Sequence, residues 1–189
     1  KSNIKKINLH SISMNEVNDK ELLKMFQEPK TRNEAFNHII NYNQERIYWH
    51  IRKIVLCHED ANDITQNTFL LVYKNLNKFN GKSKIYTWIY RIATNESITF
   101  LKKQKKHVFE PLENVSSRLK YHLQEDVYFD GNKIEKKLQE TLLELPIKQK
   151  IAFNMKYFEN MKYKEISEIL GTSIGALKAN YHHAKEKIK

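Results

Sequence analysis

The sequence predicts an all-α protein of two small helical domains joined by a flexible linker, with a helix-turn-helix in the C-terminal domain. Its 189 residues include only 4 Gly and 3 Pro, too few for the many turns of an all-β fold. Apolar residues recur at helical spacing almost throughout. The pattern is interrupted over residues 108–133, where Pro111, paired serines and Asp130-Gly131-Asn132 occur without a regular period.

Residues 1–33 are polar and mixed, and we expect them to form an N-terminal extension. Leu22, Leu23 and Phe26 predict one amphipathic helix, which Pro29 ends. The apolar face of such a helix is a candidate docking surface for another protein.

Three longer helices are predicted over residues 34–107. The first begins near Asn33 and ends near Leu56, and the second begins at an N-cap near Asp60. The third begins near Tyr86, after the break at Asn80-Gly81. It ends in the basic run Lys102, Lys103, Lys105, Lys106 and His107.

Charge separates the segments and indicates a polyanionic partner. Residues 34–107 carry twelve basic and six acidic side chains, whereas residues 108–133 carry three basic and five acidic ones, as in an acidic linker. The whole chain has a net charge of +11 and a pI of about 9.5. Such an excess favours nucleic acid, because lysines near phosphates release counterions, although a Lys-rich solvated surface has the same composition.

Several other classes of protein are disfavoured. Cys57 is the only cysteine, so no internal disulfide is expected, and it lies near His50 and His58 without an obvious fourth zinc ligand. We interpret it as a buried thiol beside surface histidines. No P-loop, catalytic triad or metal cluster is recognisable, so we expect a non-enzyme without cofactor. No apolar run approaches the ~20 residues of a membrane span, so we expect a cytoplasmic protein.

Residues 134–189 resume the helical pattern and contain a helix-turn-helix signature. Pro146 suits the first turn of a helix, and a later helix runs from about Tyr163 to Leu170. Gly171 suits the left-handed conformation that ends a helix abruptly. Thr172 or Ser173 then caps the final helix, which begins at Ile174, and such a cap directs amide donors toward a DNA phosphate.

The final helix has one core face and one exposed face. Ile174 and Leu177 are expected to pack on the preceding helix, while Tyr181 and Ala184 return to the core. Helical spacing and the capping turn place ten residues where they can contact DNA: Thr172, Ser173, Gly175, Ala176, Lys178, Ala179, Asn180, His182, His183 and Lys185. A helical hairpin without a DNA role is the alternative.

This C-terminal pattern closely resembles the promoter −35-binding domain, region 4, of extracytoplasmic-function (ECF) sigma factors of the sigma-70 family. The matching residues are Leu145-Pro146, Tyr163-Lys-Glu-Ile-Ser167, Gly171 and Gly175-Ala-Leu-Lys-Ala-Asn180. A helix-turn-helix alone discriminates weakly, because many regulators carry one.

The N-terminal domain makes the resemblance specific. Asp60-Ala-Asn-Asp-Ile-Thr-Gln-Asn-Thr-Phe69 resembles the family segment that docks on the polymerase clamp helices, and Phe79–Asn95 resembles its −10 element reader. Both precede a variable linker, in the family's order. The resemblance covers residues 34–107, as region 2, and 135–189, and leaves the extension and linker outside.

The resemblance implies a sigma factor that binds core RNA polymerase and promoter DNA and promotes opening. It implies contacts to the β′ clamp helices and the β flap, and regulation by an anti-sigma factor. The implied polymerase-binding residues are Asp60, Asn62, Asp63, Gln66 and Asn67. The implied −10 residues are Asn80, Gly81, Lys82, Ser83, Lys84, Tyr86, Arg91, Asn95, Thr99, Lys102, Lys103 and Lys106.

The residues themselves suit these roles, with alternatives for some. A polar loop at Asn80–Lys84 is able to hydrogen-bond an unstacked base and neutralise the backbone. Tyr86 is the better stacking candidate, because Trp88 continues an apolar face with Ile92 and is interpreted as a core residue. For Asn95, the alternative to DNA binding is a structural role.

The final helix contains no arginine, whose bidentate contact to guanine is the strongest direct readout. Reading of the −35 element therefore depends on Asn180, Lys178 and DNA shape, or requires an additional recruiting protein. The alternative function is a helix-turn-helix regulator that acts without polymerase docking.

Overall fold

The computed structural model describes residues 18–107 and 133–188, and both ranges are helical without a strand, which confirms the all-α prediction. The α-helices are α1 (Asp19–Gln27), α2 (Arg32–Val55), α3 (His58–Asn75), α4 (Ile85–His107), α5 (Lys133–Leu142), α6 (Ile147–Tyr157), α7 (Tyr163–Leu170) and α8 (Ile174–Ile188). A 3₁₀ turn, Leu76–Lys78, follows α3. The predicted acidic linker lies outside the described residues, apart from Lys133.

The predicted amphipathic helix in the N-terminal extension is confirmed as α1, but its apolar face is already covered. Phe26 is 2% exposed and packs edge-on against Tyr73 of α3, with ring centroids 5.5 Å apart. Leu22 and Leu23 pack against the same core. The Nε of Arg32 donates to the carbonyl of Phe26 over 3.0 Å. The interpretation of this face as a docking surface was therefore wrong.

The N-terminal helices follow the predicted pattern with one shifted boundary. Leu56 ends α2 in the left-handed conformation, at φ 61°, and its amide donates to the carbonyl of Arg52. Helix α3 begins at His58, so Asp60 is not its N-cap but an acidic residue of its first turn. The carboxylates of Glu59 and Asp60 there complement the positive end of the helix dipole.

The helix-turn-helix has the predicted turn. Gly171 adopts φ 61° and its amide donates to the carbonyl of Ser167. The Oγ of Ser173 accepts from the amide of Ala176 over 3.3 Å, so Ser173 is the cap of α8. Leu177 and Ala184 are buried as expected, but Ile174 is 41% exposed. Ile174 lies in the first turn of α8, between the exposed residues Ser173 and Gly175.

The apolar core is continuous from the N-terminal to the C-terminal helices. Ile54 of α2 and Ile89 of α4 belong to the same buried cluster as Ile151 of α6 and Ile166 of α7. A smaller cluster lies around Leu142 and Phe153, where the Tyr181 ring stacks on Phe153 at 5.3 Å. In this closed arrangement each set of helices covers apolar surface of the other, which offsets the thinness of two small cores.

Candidate polymerase and promoter interfaces

The residues predicted to bind polymerase lie along the outer surface of α3. Asp63, Gln66 and Asn67 are exposed, whereas Asp60 and Asn62 are half-buried. The side chain of Asn62 is hydrogen-bonded to the His58 ring over 3.0 Å, so it is partly committed within the helix. The exposed three lie three and four residues apart and therefore share one face.

Leu70 extends this face and was missed from the sequence. It is 57% exposed, although it is a leucine within an otherwise buried helical pattern. Its position four residues after Gln66 was a usable signal, because that spacing places it beside the polar set. The face formed by Asp63, Gln66 and Asn67 is thus polar with Leu70 as its apolar side chain.

The loop predicted to receive a base is exposed and locally ordered. Asn80, Gly81, Lys82 and Lys84 are exposed and Ser83 is half-buried. The Oδ1 of Asn80 accepts from the amide of Lys82 over 3.1 Å, and Gly81 adopts φ 69°, a conformation that glycine adopts readily.

Trp88 lies at the base of this loop and is half-buried. Its ring packs on Phe79 with centroids 5.1 Å apart, so it is a core residue on that side. Trp88 also lines an open groove of about 410 Å³ between α3 and α4. The groove is lined by Leu71, Asn75, Lys78, Trp88, Ile92, Asn95 and Glu96.

The predicted −10 residues of α4 fall into two groups, one toward the end of the helix and one near its start. Asn95, Thr99, Lys102 and Lys103 are exposed, and the side chain of Lys106 lies outside the described residues. Tyr86 and Arg91, closer to the start of the helix, contact the C-terminal helices.

These contacts join α4 to α7. The Tyr86 hydroxyl donates to the carboxylate of Glu165. The Nε and Nη2 of Arg91 both donate to the backbone carbonyl of Glu168, over 3.1 and 2.6 Å. That carbonyl is in the last turn of α7, where it lacks an intrahelical partner and carries negative dipole character. The Tyr86 hydroxyl is thus engaged by Glu165 in this arrangement, and its role as a stacking residue stays a prediction.

The environment of this contact changes the proton affinity of both partners. Burial, with the hydrogen bond to Glu165, raises the pKa of Tyr86 to about 12. Burial also raises the pKa of the Glu165 carboxyl, but the hydrogen bonds from Tyr86 and the Lys162 amide outweigh it, so the net pKa is lowered. The tyrosine therefore remains the donor and the carboxylate the acceptor near neutral pH.

A second contact joins the end of α2 to α6. The Nζ of Lys150 donates to the carbonyl of Ile54 over 3.3 Å, and the Nδ2 of Asn154 donates to that of Lys53 over 3.4 Å. Both carbonyls belong to the last turn of α2, whose oxygens have no intrahelical donor. Lys150 is 2% exposed, and this burial lowers its pKa to about 7.

His50 occupies the centre of a third contact. Its Nε2 is hydrogen-bonded to Thr94 over 2.9 Å and its Nδ1 to Glu159 over 3.0 Å. Burial raises the pKa of the Glu159 carboxyl, but His50, Lys53 and Tyr90 together outweigh it and lower the pKa. His50 is 1% exposed, so the interpretation as a surface histidine was wrong. Cys57 is buried, as expected.

The predicted −35 surface is exposed on α8. Ser173, Gly175, Ala176, Lys178, Ala179, His182, His183 and Lys185 are exposed, and Thr172 and Asn180 are half-buried. Thr172 does not cap the helix, since its hydroxyl donates to the carbonyl of Leu170. The small side chains of Ala176 and Ala179 leave room for the helix backbone to approach a groove.

In the described ranges, no helix is long and apolar enough to cross a membrane. The molecule thus has two groups of helices, a helix-turn-helix with an exposed second helix, and a basic helix preceded by a polar loop. These features define a class of DNA-binding transcription protein.

Comparison with known families identifies the class more closely. The sigma-70 region 2 model matches residues 39–107, and the sigma-70 region 4 model matches residues 135–188. The chain is 27% identical over 172 residues to the ECF RNA polymerase sigma factor SigW of Bacillus subtilis, covering 86% of this chain and 91% of that protein. It is 26% identical over 163 residues to the ECF RNA polymerase sigma-E factor of Haemophilus influenzae, covering 82% and 86%.

Solved structures share the fold. CnrH, in a structure with the cytosolic domain of CnrY, has a TM-score of 0.64 at 17% identity and covers 90% of this chain and 94% of that one. The sigma factor RpoE of Bartonella quintana, in complex with the anti-sigma factor NepR, has a TM-score of 0.63 at 17% identity and covers 82% and 94%. The chain belongs to the ECF group of the sigma-70 family, and it is an RNA polymerase-binding sigma factor for promoter recognition.

Proposed function

We propose that three separate surfaces perform this function: the α3 face binds polymerase, the Asn80–Lys84 loop and outer α4 read the −10 element, and α8 reads the −35 element. The observation that supports the assignment most directly is that most of the residues predicted for each task lie exposed and together on one element. Sigma factors initiate transcription without catalysing a reaction, and this chain works without a cofactor, in the cytoplasm where polymerase and chromosome meet.

Polymerase docking is proposed to use the β′ clamp helices for α3 and the β flap for the C-terminal domain. Asp63, Gln66 and Asn67 supply a carboxylate and two amides to a basic partner, and Leu70 supplies the apolar contact. An apolar anchor surrounded by polar groups is the usual composition of a protein interface.

The closed arrangement has a direct consequence for −10 binding. Tyr86 and Arg91 are hydrogen-bonded to Glu165 and to the Glu168 carbonyl, so these bonds must break before both side chains meet DNA. We therefore propose that α7 leaves α4 when the protein enters the polymerase–promoter complex. Fluorophores on α4 and α7 should move apart when core polymerase is added, and an unchanged distance in the active complex would contradict this step.

An anti-sigma factor is a proposed partner. Two similar folds were solved with the cytosolic domain of CnrY and with the anti-sigma factor NepR. A protein that binds the closed arrangement would keep Tyr86 and Arg91 hydrogen-bonded to α7. Purification of the native protein with polymerase alone, in repeated preparations, would count against a stable partner of this kind.

The loop is proposed to act when DNA opens. Replacing Asn80 and Ser83 by Ala should reduce open complexes on a duplex promoter several-fold, because two hydrogen-bonding groups for a flipped base are lost. Permanganate reactivity of −10 thymines measures this. The defect should shrink on a template with a pre-opened −10 bubble, and Asn77→Ala, an exposed amide outside the loop, should have no effect. An equal defect on both templates would count against base capture.

Recognition of the −35 element by α8 is tested with a scrambled promoter. With only core polymerase and this protein, transcription should start from an intact promoter and collapse when its −35 region is scrambled. Asn180, Lys178 and backbone contacts then suffice, aided by DNA shape. Weak transcription from both promoters would instead support a recruiting protein.

The alternative function, a helix-turn-helix regulator without polymerase docking, makes an opposite prediction. Such a protein would bind operator DNA but would not be retained by immobilised core polymerase. Retention of the full-length chain by core polymerase decides against it.

A further inference from the structure

The first residue of α1 makes a hydrogen bond to a distant helix end. The Oδ2 of Asp19 accepts from the backbone amide of Ile85 over 2.8 Å, across 66 residues of sequence. Ile85 is the first residue of α4 and directly follows the Asn80–Lys84 loop. Its amide is one of the helix-terminal donors that no carbonyl of its own helix satisfies.

Asp19 is itself held in place by the packing of its helix. Its neighbour Asn18 caps α1 by accepting from the amide of Lys20 over 3.2 Å. At the other end, Phe26 is buried and the hydroxyl of Thr31 donates to the carbonyl of Met25 over 2.7 Å. A short helix fixed at both ends therefore presents the carboxylate to α4.

The loop is consequently anchored at both of its ends. At the entry, Phe79 packs on Trp88 and its amide donates to the Leu76 carbonyl over 3.1 Å. At the exit, the carboxylate of Asp19 holds Ile85, and its negative charge lies at the positive end of α4. Between these points the loop residues are mostly exposed, so the two anchors fix the place where an unstacked base arrives.

We propose that Asp19 is a positioning residue for promoter opening: by holding the first turn of α4 it keeps the Asn80–Lys84 loop in the geometry that captures a base. The proposal rests on the function assigned to the loop above. A preorganised loop binds the open strand without an ordering cost, whereas a loop with a free exit must be ordered during capture. Asp19 itself touches no DNA.

The test uses the full chain with core polymerase and compares three variants. Asp19→Ala removes the acceptor and should slow open-complex formation on a duplex promoter on the order of five- to tenfold, as expected for the loss of one hydrogen bond. Asp19→Asn retains an acceptor oxygen and should recover most of the rate. Glu21→Ala removes an exposed carboxylate from the same turn of α1 and should leave the rate unchanged.

The template comparison separates positioning from simple destabilisation. The Asp19→Ala defect should shrink on a pre-opened −10 bubble, while binding to core polymerase stays unchanged. An equal loss on both templates, or no recovery with Asp19→Asn, would overturn the inference.

The loop variant separates this inference from the proposed function. If Asn80→Ala with Ser83→Ala slows opening but Asp19→Ala does not, the positioning role is wrong and the loop assignment stands. If the loop variant has no effect, the loop assignment is wrong, and the inference fails with it.

Discussion

Exchanging Asp63 for Arg together with Gln66 for Ala should abolish the association of this protein with core RNA polymerase. Both side chains are exposed on α3, so the exchange leaves the core intact and helical content should not change. Reversing a charge at the docking face replaces an attraction to a basic partner with repulsion, which costs several kcal/mol at an interface. A pull-down with immobilised core polymerase measures the result.

A matched control lies on α2, where Gln44 and Glu45 are also exposed. Glu45→Arg with Gln44→Ala changes the net charge by the same amount and should bind polymerase normally. Undiminished binding by the Asp63 and Gln66 variant would refute the docking assignment, and equal loss in both variants would attribute the effect to net charge.

Replacing Lys150 by Met should raise the free energy of unfolding at pH 7, on the order of 4 kcal/mol. Burial lowers the pKa of this lysine to about 7 from an ordinary 10.5. At neutral pH the unfolded chain is protonated at this position, so folding must either bury the charge or release the proton, and both cost free energy. Methionine has a similar length, fills the same space and requires no desolvation of a charge. Chemical unfolding followed by circular dichroism measures the difference.

The pH dependence of this effect has a definite sign. Below about pH 7 the ammonium is protonated in both the folded and unfolded chains, so the full penalty for burying it is present. Between pH 7 and 10.5 the folded chain has released this proton while the unfolded chain retains it, so stability rises with pH. The wild-type protein should therefore become more stable from pH 7 to 9.5, and Lys150→Met should weaken that rise.

Lys148, two residues earlier on α6, is exposed and provides the control. Lys148→Met should leave both the stability at pH 7 and its pH dependence nearly unchanged. If Lys150→Met retains the wild-type slope between pH 7 and 9.5, the buried lysine is not the group that titrates there.

Lys150 and Asp19 show why tertiary contacts are needed to interpret single residues. Lys150 is one of 33 Lys and Arg residues in the sequence, and no pattern distinguishes it from the others. Only packing places its ammonium against the carbonyl of Ile54. Asp19 is likewise an ordinary first-turn carboxylate in the sequence, and only the fold brings it to Ile85.

The order of the two sigma regions followed from the resemblance of their motifs to the family. The sequence by itself determined the helical architecture and the turn at Gly171. These features depend on local signals: helical spacing of apolar residues, a glycine at a left-handed position and a capping serine. The exposed positions of α8 followed from the same spacing, because a helix of known phase has only one outer face.

Only the tertiary structure decided how the two groups of helices meet, and therefore which predicted −10 residues are hydrogen-bonded to α7. Tyr86 and Arg91 carry the same local pattern as their neighbours on α4, but their partners, Glu165 and the Glu168 carbonyl, lie more than seventy residues away. The physical reason is that local spacing fixes the face on which a side chain lies, whereas its partner depends on which distant surfaces bury apolar area together.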